Sequence, residues 1–437
     1  MLTYFTPLII YLMWYPAIIV SLFRVEIGLF FFIFTVPVIS LMKKIHEFPG
    51  GNNFADFLLI AMGIGWVFKN FQQGKAIFRS SPINMAVILF VLGSVISLVR
   101  GYTFMDLPAE VNLIRLMAWK NYMILPFLYF LAVNNIDTEK MAIWVIILIS
   151  FTMLAMDFNF YSTFKWIRAE HYHDSVRISG AFSFLGPNEL GVFYTMYTFL
   201  LLGISYYMED KKTKYFILLV CACNFYPILF SYSRAAYSAA IIGLLTIGVI
   251  KDRKFLGLLV VLVLLYSYVL PNSVVERINM TFLGETKTSE EMQEKSVVDV
   301  AGVELDTVGR KELWEKAQRY FGQEPFIGIG FDTFRHKEGM ITHSMYLKIL
   351  AEQGLIGMMI FVIFTGIVLQ QSYKLFKHSE SKLGKGIGLG FLLCEAVHLT
   401  GSITGDQSLY YNLMAIYWLF LGIVASFNVK STIRPYV

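Results

Sequence analysis

Along this chain, runs of apolar residues alternate with short polar breaks. Apolar helices are expected at about 3–22, 26–42, 55–68, 83–100, 111–133, 141–160, 186–208, 214–231, 235–250, 255–270, 355–373, 387–404 and 408–427. Runs of about 16–24 residues are long enough to cross a hydrocarbon core of roughly 30 Å as helices. Pro16, Pro37 and Pro126 interrupt three of them, which membrane helices tolerate because neighbouring groups satisfy the freed carbonyls. The pattern predicts an all-α fold: a polytopic transmembrane bundle of about 12–13 helices with one large extracytoplasmic loop carrying short helices. It divides the chain into N-terminal transmembrane helices over 1–270, the loop over 271–342, and C-terminal transmembrane helices over 343–437.

Composition agrees with that reading. Of the 437 residues 57% are hydrophobic and only 15% charged, far less charge than a soluble domain of this size carries. The net charge of +5 fits basic cytoplasmic loops better than nucleic-acid binding. Cys221, Cys223 and Cys394 all fall in apolar runs, with neither a disulfide framework nor a zinc pattern. The first run lacks a basic segment before it and a small-residue cleavage site after it, so it is expected to be a retained helix.

Lysine and arginine in short loops set the orientation. Lys211, Lys212 and Lys214, then Lys251, Arg253 and Lys254, then Lys374, Lys377, Lys382 and Lys385 mark a cytoplasmic side, with Lys430 and Arg434 in the tail. Helix parity then puts 161–185, the 231–235 turn, 271–342 and Gly405-Asp406-Gln407 outside. Lys69, Lys75 and Arg79 count as inside, whereas Lys43 and Lys44 fall outside and break the rule, which leaves the N-terminal side open.

The outer segments hold the candidate chemistry. Loop 161–185 carries Lys165, Arg168, His171, His173 and Arg177; it reads as a basic solvated loop, because no acid or cysteine cluster completes His171-x-His173 as a metal site. In the large loop, 271–309 is acidic, without a strong period, and reads as a mobile segment. Residues 310–342 interleave basic and aromatic residues. Trp314, Ala317 and Phe321 share a helical face expected to rest at the membrane surface, and Gly328 and Gly330 break that helix. Thr342 reads as an N-cap, which places His343 in the first turn of a helix at the lipid–water boundary, with Gly354 as its stop or bend. Helix N-termini attract anions, and an imidazole there can move a proton near neutral pH. His336 reads as solvated. Arg234 sits at a helix boundary beside Ser231 and Ser233 with no acid nearby, which suits a site awaiting an external anion; a snorkelling arginine is the bland alternative. Arg310 has Glu312 and Glu315 close by and otherwise reads as a solvated charge.

Four of these stretches occur in one order that resembles a known family. Ser231-Tyr232-Ser233-Arg234-Ala235-Ala236 is similar to a Ser-x-Ser-Arg-Gly/Ala motif. Gly309-Arg310 with Trp314 and Ala317, then Pro325-Phe326-Ile327-Gly328-Ile329-Gly330, is similar to a Gly-Arg…Trp…Pro-hydrophobic-x-Gly-x-Gly segment. His343-Ser344, nine residues, Gly354, two residues and Gly357 is similar to a His-[Asn/Ser/Gln]-x9-Gly-x-x-[Gly/Thr/Tyr] signature. Arg177-Ile178-Ser179-Gly180 with Pro187-Asn188 resembles an Arg-x-x-Gly…Pro-Asn segment. Together they resemble the O-antigen ligase and O-antigen polymerase superfamily of bacterial membrane glycosyltransferases, over roughly 175–425. Nothing in the first hundred residues is diagnostic.

The resemblance implies glycosyl transfer at the outer leaflet of the bacterial cytoplasmic membrane, in cell-surface polysaccharide biosynthesis. The implied donor is a glycan on a polyprenyl pyrophosphate such as undecaprenyl pyrophosphate, and the implied acceptor a sugar hydroxyl of a glycan or lipid-linked sugar. His343 would act as general base, and Arg234, Arg310 and, more weakly, Arg177 would hold the pyrophosphate. The mechanism implied is inverting and metal-independent, with no cofactor; membrane lipid is a partner and nucleic acid is not. Ligase, polymerase and protein-glycan transferase share this signature. From another class, a polysaccharide or lipid-linked oligosaccharide transporter or flippase would need charge deep within several helices, for which Arg115, Lys120, Asp157 and Glu395 are the candidates.

Overall fold

The computed structural model describes residues 2–36, 53–164, 171–172, 176–178, 186–283, 297–300, 303–306 and 310–432. Helices form at all thirteen expected apolar runs. They are α1 (Leu2–Ser21), α2 (Val25–Thr35), α3 (Phe54–Gln72), α4 (Pro82–Phe104), α5 (Ala109–Asn135), α6 (Glu139–Thr163), α7 (Pro187–Ser205), α8 (Lys211–Phe230), α9 (Arg234–Ile250) and α10 (Lys254–Val269). After the large loop come α14 (Met345–His378), α15 (Lys382–Gly401) and α16 (Tyr411–Thr432). Among the described residues, seven helices are long and apolar enough to cross a membrane, or eight if α10 and the helix after it, bent by 111°, form one span. Parts of α1, α2, α9 and α16 are apolar but shorter. Lys43 and Lys44 lie outside the described residues.

The described residues of the large loop form more regular structure than the sequence suggests. It holds α11 (Asn272–Leu283), a hairpin of β1 (Val297–Val300) and β2 (Val303–Asp306), α12 (Arg310–Gln323) and α13 (Thr333–Glu338). The acidic half therefore contains a helix and a hairpin instead of being irregular. Four-residue strands are too short for a visible period-2 pattern, and α11 takes its order from long-range contacts. Tyr232 donates its hydroxyl to Ser273 Oγ at 2.9 Å, and Arg277 stacks on the Tyr172 ring at 4.6 Å.

Small residues set the closest helix contacts, as expected where lipid is as apolar as the helix surface. Gly203 on α7 meets Gly390 on α15 backbone to backbone, and Gly422 on α16 packs on Ala132 of α5. α7, α15 and α16 form the buried centre. α10 has no buried residue and presents Val260, Leu264 and Tyr268 outward, as a lipid-facing helix does.

The bundle has two chemically different ends. At one end Lys382 pairs with Glu209 at 2.6 Å and Lys251 reaches Tyr207 Oη at 2.7 Å, so the basic loops gather there. Arg79 joins them through Asp137, at 3.0 Å, and Ser426. At the other end Tyr172 packs on Tyr232 and Arg277, while Arg310 and Met345 bond to the 402–405 turn.

Candidate functional site

The polar end is built around a break in α14. Gly354 has φ 64° and ψ −160°, a conformation open almost only to glycine. The break frees backbone groups, and the Pro325–Gly330 segment takes them up. Ile329 N donates to Ala351 O at 2.9 Å and Gly330 N to Glu352 O at 2.9 Å; Leu355 N donates to Pro325 O at 2.8 Å and Ile356 N to Phe326 O at 3.1 Å. Gly328, at φ 64°, must lie flat here, because a Cβ would strike the Glu352–Gln353 peptide. The expected bend at Gly354 thus has a partner 24–29 residues upstream, and the two glycine motifs are halves of one joint.

α12 packs onto this joint. Leu313 and Ala317 are buried with Ile329, Phe334 and Ala351, and Trp314 Nε1 donates to Thr342 O at 3.0 Å. The helix face expected to rest on the membrane surface rests on α14 and the loop instead. The sequence shows the apolar stripe but not what covers it.

His343 is not in the first turn of a helix. α14 begins at Met345 with Ser344 as its N-cap, and His343 has φ 52°, a left-handed conformation that an α-helix cannot contain. Thr342 braces this turn through Ser344: its hydroxyl donates to Ser344 O at 2.9 Å and accepts from Ser344 N at 3.3 Å. Met345 N is shared between Ser402 O at 3.1 Å and Gly405 O at 3.2 Å. Arg310, expected to be solvated or awaiting phosphate, donates from Nη1 to Thr404 O at 3.0 Å. The turn after α15 therefore anchors both Arg310 and the His343 turn. Burial lowers the His343 pKa from its ordinary 6.5, and the charge of Arg310 lowers it further.

Arg234 opens α9 behind Ser233, whose hydroxyl accepts from Ala236 N at 3.2 Å. Tyr232, just before it, has φ 51°, so this motif too turns through a left-handed residue. Ser233 Oγ donates to Asn188 O at 3.4 Å, and Arg177 Nη2 donates to Asn188 Oδ1 at 2.7 Å. The start of α7 thus joins Arg177 to the Arg234 turn. A Cβ on Gly191 of α7 would strike Ser231 and Ser233, and one on Gly401 would strike Val192, so the same helix turn touches the anchor of Arg310 and His343. The arginine motifs and His343 share one end of the bundle, arranged as two pairs linked through α7. Ser179, Gly180 and Gly309 lie outside the described residues.

His171 pairs with Glu276 at 2.8 Å, a carboxylate on α11 that spacing alone could not bring to it. His173 lies outside the described residues. Among those described, no group of three or more histidine, cysteine and acidic residues suits a metal. His336 is half-buried beside Asp332 instead of solvated, 3.7 Å from its carboxylate.

Beneath the His343 turn lies a buried ionic hub that the sequence reading missed. Lys348 Nζ sits 3.6 Å from Asp332, 3.6 Å from Glu352 and 3.5 Å from Asp406. Glu352 also accepts from Asp332 N at 2.9 Å, and Asp332 has φ 54°. Burial pushes the Asp406 carboxyl up, and the Lys348 ammonium opposes it. Lys348 and Glu352 are four residues apart on α14 and so share a face; that this face points inward depends on Asp332 and Asp406. Of the charges a transporter would use, Arg115 is bound to Phe331 O at 2.8 Å and Lys120 to Asp56 at 2.7 Å. Both fasten parts of the fold together.

Fold and site define a multi-pass helical membrane protein with its polar chemistry gathered at one end. Residues 217–362 match the family model described as O-antigen ligase. The matched segment contains Arg234, Arg310 and His343; Arg177 precedes it. It supports membrane glycosyltransferase activity of the O-antigen ligase type in general. No curated protein matches the chain.

Proposed function

We propose that this protein transfers or polymerises glycans carried on polyprenyl pyrophosphate onto a sugar hydroxyl, at the outer leaflet of the bacterial cytoplasmic membrane. The observation that carries this reading is the His343 turn: a strained, neutral-leaning imidazole beside Arg310, with both anchored on the turn after α15. Strained residues persist where the surrounding structure over-determines them, and they cluster at functional sites. In the reaction the acceptor oxygen attacks the anomeric carbon and its proton passes to His343. The bond from the anomeric carbon to the pyrophosphate oxygen breaks, and its electron pair leaves with the polyprenyl pyrophosphate. Arg234, Arg310 and Arg177 offset the charge that develops there, as fixed donors in a water-poor site do. Attack opposite the leaving group inverts the anomeric centre.

The test is transfer in proteoliposomes from an undecaprenyl-pyrophosphate glycan, with EDTA present and the product's anomeric configuration read by NMR. Transfer with inversion is expected, since the sequence offers no ligand cluster of adequate size for a required divalent ion. Retention of configuration, or activity restored only by magnesium or manganese, would overturn this mechanism.

A further inference from the structure

The basic end of the bundle carries far more positive charge than its own acids can offset. Its segments 208–214, 251–254 and 374–385 hold ten lysines and arginines against four acids. Three of those acids are already engaged. Glu209 pairs with Lys382 at 2.6 Å. Asp210 caps α8, accepting from Thr213 N at 2.9 Å and Thr213 Oγ1 at 2.7 Å. Asp252 accepts from Tyr206 Oη at 3.2 Å. The fourth, Glu380, is exposed beyond the end of α14.

Two of the lysines turn to aromatic rings. Lys251, just after α9, donates to Tyr207 Oη at 2.7 Å, with Nζ 4.5 Å from the ring centre. Lys377, in the last turn of α14, holds Nζ 5.0 Å from the centre of Phe376 and 5.7 Å from that of Tyr373. The rings of Tyr207 and Phe376 meet edge to face at 6.2 Å, and those of Phe376 and Tyr373 at 6.3 Å. One aromatic row, drawn from the ends of α7 and α14, thus carries an ammonium over both of its halves. α15 closes in behind it, since a Cβ on Gly386 would lie 3.2 Å from Tyr207 Cβ. The row also borders the apolar flank of the bundle. Tyr373 is 47% exposed, and Val249, two residues before Lys251, is 70% exposed.

The occupant must match both surfaces. Aromatic rings at a helix end sit at headgroup level, and lysines there attract anionic lipid. A nucleic acid or acidic peptide would meet the lysines and leave the apolar flank without a partner. A zwitterionic lipid would bring its own cation against them. A lipid with net negative charge meets every condition: its phosphate answers the ammoniums, and its chains cover the flank.

We propose that this corner is a binding site for an anionic phospholipid of the bilayer. Its phosphate lies between Lys251 and Lys377 over the row of Tyr207, Phe376 and Tyr373, and its acyl chains run along Val249 and Tyr373. The site stands at the opposite end of the bundle from His343 and does not depend on the glycosyl-transfer reading.

The experiment is native mass spectrometry of the full-length protein, titrated in detergent with phosphatidylglycerol or with phosphatidylcholine of identical chains. Phosphatidylglycerol should bind the more tightly. Lys251→Gln and Lys377→Gln should each weaken it about fivefold, the worth of one lysine at an anionic surface, and leave phosphatidylcholine unaffected. Both side chains are exposed, so the variants should melt as the wild type does. Lys337→Gln removes a lysine that stands over the Tyr320 ring at the other end, and should change neither lipid. Equal affinity for the two lipids, or phosphatidylglycerol binding indifferent to both Lys251 and Lys377, overturns the site. A loss as large in Lys337→Gln would reduce the effect to overall charge and overturn it too. Displacement of the lipid by glycerol 3-phosphate would show a site for free phosphate, which also overturns it.

Discussion

The backbone of Gly354 lies against the carbonyl of Phe326 so closely that a methyl group on Gly354 would strike it and sit 2.6 Å from Ile327 N. The position is strained for any other residue as well, at φ 64°. Gly354→Ala should therefore cost more than the about 1–3 kcal/mol of backbone strain alone, since the Pro325–Gly330 ladder must also open. Gly366, on the same helix with open space around it, is the control: Gly366→Ala should be neutral or stabilising by up to about 1 kcal/mol. Thermal unfolding in nanodiscs checks both, and equal melting temperatures for the two variants would refute the joint.

His343 and the arginines should fail differently. His343→Ala should lower the transfer rate by about 10²–10⁴ while leaving donor affinity near that of the wild type. Arg234→Lys and Arg310→Lys should both bind donor poorly, because lysine keeps the charge and loses the two-pronged contact. Single-turnover transfer in proteoliposomes, with donor affinity measured separately, resolves the two patterns. Unchanged donor affinity in both lysine variants would leave the pyrophosphate assignment without support.

The pH profile should carry the mark of a depressed histidine. Burial and the charge of Arg310 both favour neutral imidazole, so His343 remains a base to lower pH than an ordinary histidine does. kcat/KM should rise with pH through a midpoint below 6.5 and then level off. Arg310→Gln removes one of the two causes and should move the midpoint up, whatever it does to the plateau. A midpoint that stays fixed in this variant, or moves down, would break the electrostatic link between the two residues.

Lys348→Met should unfold or severely weaken the protein, because three buried carboxylates lose their common cation. Breaking a buried ionic contact on one side costs about 3–5 kcal/mol. The loss should shrink when Asp406→Asn is added, since one fewer carboxylate then lies unpaired. Additive losses in the double variant would show that the two residues do not act on each other.

A cysteine placed at Met340, which is exposed in the large loop, should react with a membrane-impermeant thiol reagent in spheroplasts. The three native cysteines are buried or half-buried within α8 and α15 and give a low background. Protection until the membrane is breached would reverse the orientation and with it the outer-leaflet chemistry.

Apolar periodicity was enough to locate the bundle, because a span of hydrocarbon demands long unbroken runs wherever they occur. Helix ends were less legible. The His343 turn looks like a helix start because Thr342 is a good cap by type, but the left-handed backbone at His343 defers the helix to Met345. The motifs marked His343, Arg234, Arg310 and Arg177, and the structure gathers all four at one end. What spacing could not reveal are contacts across long sequence intervals. Arg310 on Thr404, Glu276 on His171 and Lys348 on Asp406 each join residues dozens of positions apart. The apolar stripe of α12 was visible, yet its partner, the ladder beside Gly354, is created only when the chain folds.

The turn that accepts hydrogen bonds from Met345 and Arg310 belongs to the last helical hairpin, between α15 and α16. During synthesis, therefore, the nascent chain can insert most of its helices and complete every motif from Arg177 to Gly357 while its polar end stays unbraced. Ser402, Thr404 and Gly405 leave the ribosome tens of residues later. The order of translation acts as a delay: the polar end closes only when almost the whole bundle is in the membrane, and an incomplete chain lacks the anchor needed to hold His343 in place.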